Sequence, residues 1–127
     1  MASPVADRFM QTLQQTEQTK DVEPLVALFS EDAEFGNLIQ SQPLQGKAAI
    51  RMYWQEYLAT FGQVHSEFEH VVEGEKLTVL EWTSTGTLPS GKPMSYRGVS
   101  ILEFQGEQVQ RFRTYFDSAA FVPRVPH

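Results

Sequence analysis

The sequence predicts an α+β domain of conical shape, with three N-terminal helices packed on a curved, mostly antiparallel sheet. Three observations carry that prediction. Apolar residues recur at helical spacing in three stretches before residue 62. From Val64 onward the period changes to two. The period-two runs are joined by short Gly-containing links, so four strands follow one another directly and pair as antiparallel neighbours. Helices gathered on one side of such a sheet define α+β. A twisted sheet that curls around them encloses a cone.

Each element has its own justification. The first helix spans residues 4–18, with Pro4 in its first turn. Its stripe is Val5, Phe9 and Leu13, four apart, flanked by Ala6 and Met10. The polar run Gln14 to Lys20 reads as a link. Asp21 is placed as an N-cap for a short second helix carrying Val22, Leu25, Leu28 and Phe29 and ending near Ser30. A short strand over Asp32–Asn37 alternates Ala33, Phe35 and Asn37 with polar or small neighbours. Residues 38–46 read as a loop. The third helix runs from about Lys47 to Phe61 on a stripe of Ile50, Tyr53, Trp54, Tyr57, Leu58 and Phe61, and Gly62 stops it. Strands then follow at 64–73, 77–87, 94–104 and 108–117.

With 127 residues the chain is long enough for one domain, residues 1–127, with a real core. A net charge of −6 with scattered Lys and Arg argues against nucleic acid as a partner. No apolar stretch approaches a membrane span, and MASPVADRF lacks the features of a signal peptide. The absence of Cys fits a cytoplasmic protein. His65, His70 and His127 follow no metal-ligand spacing, so no metal is expected. No Gly-rich strand–turn–helix fingerprint is present, so no nucleotide cofactor is expected either.

Four stretches carry a resemblance to a known family: DVEPLVALFSEDAEFGN, PLQGKAAIRMYW, LPSGKPMSYRGVSILEF and RFRTYFDSAAF. In this order they resemble the nuclear transport factor 2-like superfamily, in its SnoaL-like branch. That branch includes ketosteroid isomerases, limonene epoxide hydrolases and polyketide cyclases. The resemblance implies a conical fold and a cavity for a small apolar molecule. Where the epoxide hydrolases place their catalytic groups, this chain has Phe35, Asn37, Glu81, Thr83 and Thr114, of which Asn37 alone is retained. Where the isomerases place a base and an oxyanion hole, it has Asn37, Leu13 and Ser100.

The resemblance also implies strand parity. It turns Leu77, Val79, Glu81, Thr83 and Thr85 inward, opposite Met94, Tyr96, Gly98, Ser100 and Leu102, with Phe112, Thr114 and Phe116 on the last strand. Glu81 is then the inward carboxylate, either the proton-transfer group or a satisfied buried acid. Asn37 and Tyr96 are the expected hydrogen-bond donors to a substrate oxygen. Phe35, Trp54, Leu58, Thr83, Phe112, Thr114, Phe116 and Phe121 are the expected ligand contacts. Leu80, Trp82, Val99, Ile101 and Tyr115 are expected on the outer face as a homodimer surface. Three function classes remain open. One is a cofactor-free isomerase, lyase, cyclase or hydrolase of a small apolar molecule. The others are a binding protein for such a molecule and a protein-interaction module.

Overall fold

The computed structural model describes residues 4–37 and 42–117, with the side chain of Asn37 outside that description. The chain runs α1 (Pro4–Thr19), α2 (Glu23–Val26), β1 (Phe29–Asn37), β2 (Leu44–Gln45), α3 (Lys47–Ala59), β3 (Gln63–Glu73), β4 (Thr78–Thr87), β5 (Pro93–Gln105) and β6 (Gln108–Phe116). The six strands form one sheet in the order β2-β1-β6-β5-β4-β3. The pairs from β3 to β6 are antiparallel, whereas β1 lies parallel to β6. Helices on a mixed sheet of this order give the expected α+β cone.

The core sits between the helices and the inner sheet face. Phe9, Leu25, Phe29, Phe35, Ile50, Leu80 and Leu102 are fully buried there. The ring of Phe35 stacks on Phe112 at 4.6 Å between centroids and meets Trp54 edge-on at 5.6 Å. Aromatic contacts of this kind add to the burial of large apolar area. α1 packs against β3 and α3 against β1.

Several local expectations change. α1 continues through Thr19, so Glu17 belongs to a helix and not to a link. α2 stops at Val26, because Phe29 and Ser30 enter β1 and β1 pairs with β6 from Phe29 onward. Asp21 still accepts the Glu23 N–H at 3.1 Å, one residue upstream of the helix cap. The expected loop 38–46 contains β2, paired with Glu34 and Phe35. Its residues 38–41, and Phe121, lie outside the described residues.

The largest correction concerns β4. Thr78, Leu80, Trp82 and Ser84 face inward, not Glu81 and Thr83. The register pairs Leu80 with Ser100, Trp82 with Gly98 and Ser84 with Tyr96. Gly98 is the reason this parity is required. A Cβ at Gly98 would lie 2.5 Å from the Trp82 ring and 2.6 Å from the Tyr115 carbonyl oxygen. The indole therefore rests where any other residue would put its side chain. Leu80 and Trp82, expected on an outer dimer face, are core residues at 0% and 7% exposure.

β3 carries a second surprise. Its register shifts between Phe68 and His70, where Glu69 is an extra residue against β4. Before this bulge Val64, Ser66 and Phe68 face in; after it Val71 does. The bulge reverses the strand's alternation and turns His70 outward beside Glu81.

Candidate functional site

The inner face encloses a small cavity of about 30 Å³. α3 supplies Tyr53, Trp54 and Tyr57, and α1 supplies Leu13. The sheet supplies Ser66, Trp82, Ser84, Tyr96, Ser100, Phe112, Thr114 and Phe116. The wall is mainly aromatic with a few hydroxyls, the usual composition of a small-molecule site.

A chain of hydrogen bonds leads out of this wall to a buried acid. Glu17 is 3% exposed. Its Oε1 accepts the Ser66 N–H at 2.8 Å, and its Oε2 accepts the Ser66 hydroxyl at 2.5 Å. Ser66 Oγ lies 2.6 Å from Ser84 Oγ. Ser84 faces Tyr96 across the β4–β5 register, and the Tyr96 hydroxyl makes a short bond with that of Tyr57. With Glu17 ionised, Ser84 donates to Ser66 and Ser66 donates to the carboxylate.

Burial sets the acidities along this chain. Desolvation pushes the Glu17 carboxyl above its ordinary range, and the two bonds from Ser66 offset only part of that. Tyr57 and Tyr96 are also pushed up, again chiefly by burial, so both phenols stay protonated at neutral pH. The arrangement couples an acid that is readily protonated to two permanent donors. On its other side the residue borders an open groove with Lys20, His65 and Gly86.

A second polar cluster fixes the wall opposite. Trp82 Nε1–H donates to Ser100 Oγ at 2.9 Å, and Ser100 Oγ lies 3.2 Å from Thr114 Oγ1. Trp54 differs: its Nε1 is buried and has no acceptor among the described residues.

The expected site residues divide into four groups. Tyr96, Trp54, Phe112, Thr114 and Phe116 line the cavity. Phe35 and Leu58 are buried in the core cluster. Thr83 is turned to the outer face, where its hydroxyl donates to Glu69. Asn37 pairs in register with Thr114 through its backbone, and its side chain lies outside the described structure. Glu81 is corrected outright. It lies outside the cavity, half exposed, with its Oε1 2.5 Å from His70 Nδ1. The cause is the β4 parity above, which gives the interior to Leu80 and Trp82.

The bulge gathers Glu69, His70 and Glu81 on the outer face, with one ligand atom from each lying within 4.8 Å of the others. One imidazole and two carboxylates in this arrangement are chemically suited to a divalent cation. All three are exposed.

Sequence reasoning did not single out Glu17, Ser66, Ser84, Tyr53 or Tyr57 as site residues. For Glu17 a signal exists: it continues the spacing of Phe9 and Leu13 by four more residues. A carboxylate on the apolar stripe of a helix is buried at a cost and needs partners.

The fold has close counterparts among solved structures. An NTF2-like protein from Anabaena variabilis superposes with a TM-score of 0.84 at 19% identity, covering 94% of this chain and 96% of that one. A ketosteroid isomerase-like fold from Catenulispora acidiphila, solved with trimethylamine, gives 0.80 at 13% identity, covering 94% and 90%. TerC, co-crystallised with polyporic acid, gives 0.78 at 17% identity, covering 94% and 95%. No functionally curated protein matches in sequence. Among the described residues no helix is long and apolar enough to cross a membrane. A family model for the SnoaL-like domain matches residues 6–112. The chain belongs to the SnoaL-like domain family.

Proposed function

We propose that this protein is a cofactor-independent enzyme for a small, mostly apolar molecule, in the class of isomerases, lyases, cyclases and hydrolases. The proton-transfer group is Glu17 rather than Glu81. The observation that carries this reading is the run of polar groups from buried Glu17 through Ser66 and Ser84 to the Tyr57–Tyr96 pair at the cavity wall. A substrate oxygen beside the phenols receives a hydrogen bond. When solvent water takes up an α-proton and charge develops on that oxygen, protonated Glu17 supplies a proton towards it through the intervening hydroxyls. Glu17 is then reprotonated. Asn37 is retained as an additional donor, since its backbone neighbours Thr114. Family membership supports a catalytic or ligand-binding role in general terms, and small molecules accompany two of the structural relatives.

The test is exchange of α-hydrogens of small cyclic ketones in D2O, followed by NMR. Wild type accelerates exchange, and Glu17→Gln loses ~10²-fold or more, the range of a positioned acid–base group. Equal rates in the two proteins refute the assignment. The small cavity favours a second reading, a binding protein without chemistry. Saturable binding with no exchange in either protein selects it.

The homodimer reading moves to Val79, Val99, Ile101 and Tyr115, which lie on the outer face of β4 to β6. Around them Glu103 bridges Arg111 and Arg113, and Arg111 also pairs with Glu34. Light scattering at micromolar concentration tests it, and a monomer there removes it.

A further inference from the structure

We propose that Glu69, His70 and Glu81 form a binding site for a divalent transition-metal ion, with Zn2+ the best fit, on the outer face of the sheet. The site lies outside the cavity and depends neither on Glu17 nor on what the cavity holds.

The backbone brings the three side chains together. His70 and Glu81 are direct partners in the β3–β4 register, and Glu69 is the residue that the bulge adds to β3. Along a regular strand two consecutive side chains point to opposite faces. Here the extra residue cancels that alternation, so Glu69 and His70 both reach Glu81. One atom from each lies within 4.8 Å of the others. Ligand atoms around a tetrahedral Zn2+ sit about 3.3 Å apart, given bonds of about 2.0–2.2 Å. Small side-chain rotations close that gap, and the side chains of His70 and Glu81, 73% and 51% exposed, have room to make them.

The donor set decides which ion fits. An imidazole with two carboxylates suits Zn2+, whereas Mg2+ and Ca2+ prefer oxygen shells of about six or more atoms. His70 Nδ1 already lies 2.5 Å from Glu81 Oε1, and a metal replaces the proton held between them. Glu69 is oriented from behind: its Oε1 accepts the Thr83 hydroxyl, and a carboxylate has acceptor capacity to spare. Partners of that kind strengthen metal binding. Arg97 lines an open groove of about 290 Å³ with Glu69 and Glu81. Among the described residues, however, neither carboxylate forms an ion pair with a Lys or Arg, so His70 is their one possible counter-charge. His65 gives an internal comparison. It meets a single carboxylate, that of Glu67, at 2.8 Å, and belongs to no such group of three among the described residues.

The test is calorimetric titration of ZnCl2 into the tag-free protein. One equivalent binds. His70→Ala and Glu81→Gln each weaken binding by about 100-fold or more, Thr83→Val by about 10-fold, and His65→Ala binds as wild type does. MgCl2 in about 100-fold excess leaves the affinity unchanged. In 15N-labelled wild type, Zn2+ moves the imidazole nitrogen resonances of His70 and leaves those of His65 in place. The proposal is overturned if Zn2+ does not bind, if His70→Ala binds it as wild type does, if the His65 resonances move instead, or if Mg2+ competes. The wild-type spectra decide the matter even where a variant does not fold. A null result for Glu17→Gln in the ketone exchange assay leaves the metal site standing, and absence of Zn2+ binding leaves the Glu17 reading standing.

Discussion

Buried Glu17 makes the stability of this protein fall with rising pH in a way that no surface carboxylate reproduces, and Glu17→Gln removes that response. In the folded state Glu17 is buried, and its carboxyl is pushed up mainly by desolvation. In the unfolded chain it titrates near the ordinary value of about 4.3. Its folded pKa is therefore the higher one. Its contribution to stability is fully present below the unfolded pKa and is lost as pH rises through the folded pKa. Within that window the loss runs at about 1.4 kcal/mol per pH unit, because one proton more is bound in the folded state. Gln cannot titrate, and its amide retains an acceptor for the Ser66 N–H and a donor for the Ser66 hydroxyl. The assay is urea unfolding of both proteins from pH 4 to pH 9. Glu23 and Glu103 act in the opposite sense, since Arg51 and Arg113 hold their carboxyls low by hydrogen bonding. Both are present in the two proteins, so the difference between the curves isolates Glu17. Wild type loses ground to the Gln variant as pH rises above about 4.3. Each unit of pKa elevation moves its relative midpoint by roughly 0.5–1 M urea. Parallel curves, or a gap that widens toward acid, refute a buried, upshifted Glu17.

Three further outcomes follow from the packing. Gly98→Ala places a methyl against Trp82 and the Tyr115 carbonyl, and destabilises by about 1–3 kcal/mol in urea or thermal unfolding. Tyr57→Phe removes the hydroxyl that bonds that of Tyr96; the expected cost is about 1–3 kcal/mol by the same measurement, with slower ketone exchange. Glu81→Gln and His70→Ala change stability by no more than about 0.5 kcal/mol and leave ketone exchange at the wild-type rate, because both side chains are on the exposed face.

The strand order after residue 63 was legible because period-two alternation and turn glycines are local signals. The parity of β4 was not. In LTVLEWTSTGT one face offers Leu77 and Val79 and the other Leu80 and Trp82, so the alternation supports either choice. What decides is the opposite strand, where Gly98 leaves a space that the Trp82 ring fills. That information is non-local. The end of α2 failed for a related reason: Leu25, Leu28 and Phe29 fit a helical face, and pairing with β6 outweighs that propensity. Glu17 was readable in principle, as the next position of the Phe9–Leu13 stripe. Its partners Ser66 and Ser84 belong to strands whose neighbourhood only the fold creates. The grouping of Glu69 and His70 with Glu81 depends on one extra residue, which no alternation pattern announces.

The position of β6 bears on how the chain reaches this state. It lies inside the sheet, joining β1 to the β3–β5 meander, and residues such as Phe35 and Phe112 pair across 77 intervening steps of chain. β1 and β2 have no other route into the sheet. During synthesis the early helices and β1 therefore wait, with Phe29 and Phe35 unsheltered, until residue 116 has left the ribosome. Such long-range closure is slow and exposes apolar surface meanwhile. A chain stopped before Gln108 keeps every lining residue of α1, α3 and β3–β5, yet it has nothing to hold the two halves of the sheet together. The cavity cannot be complete before β6 is in place.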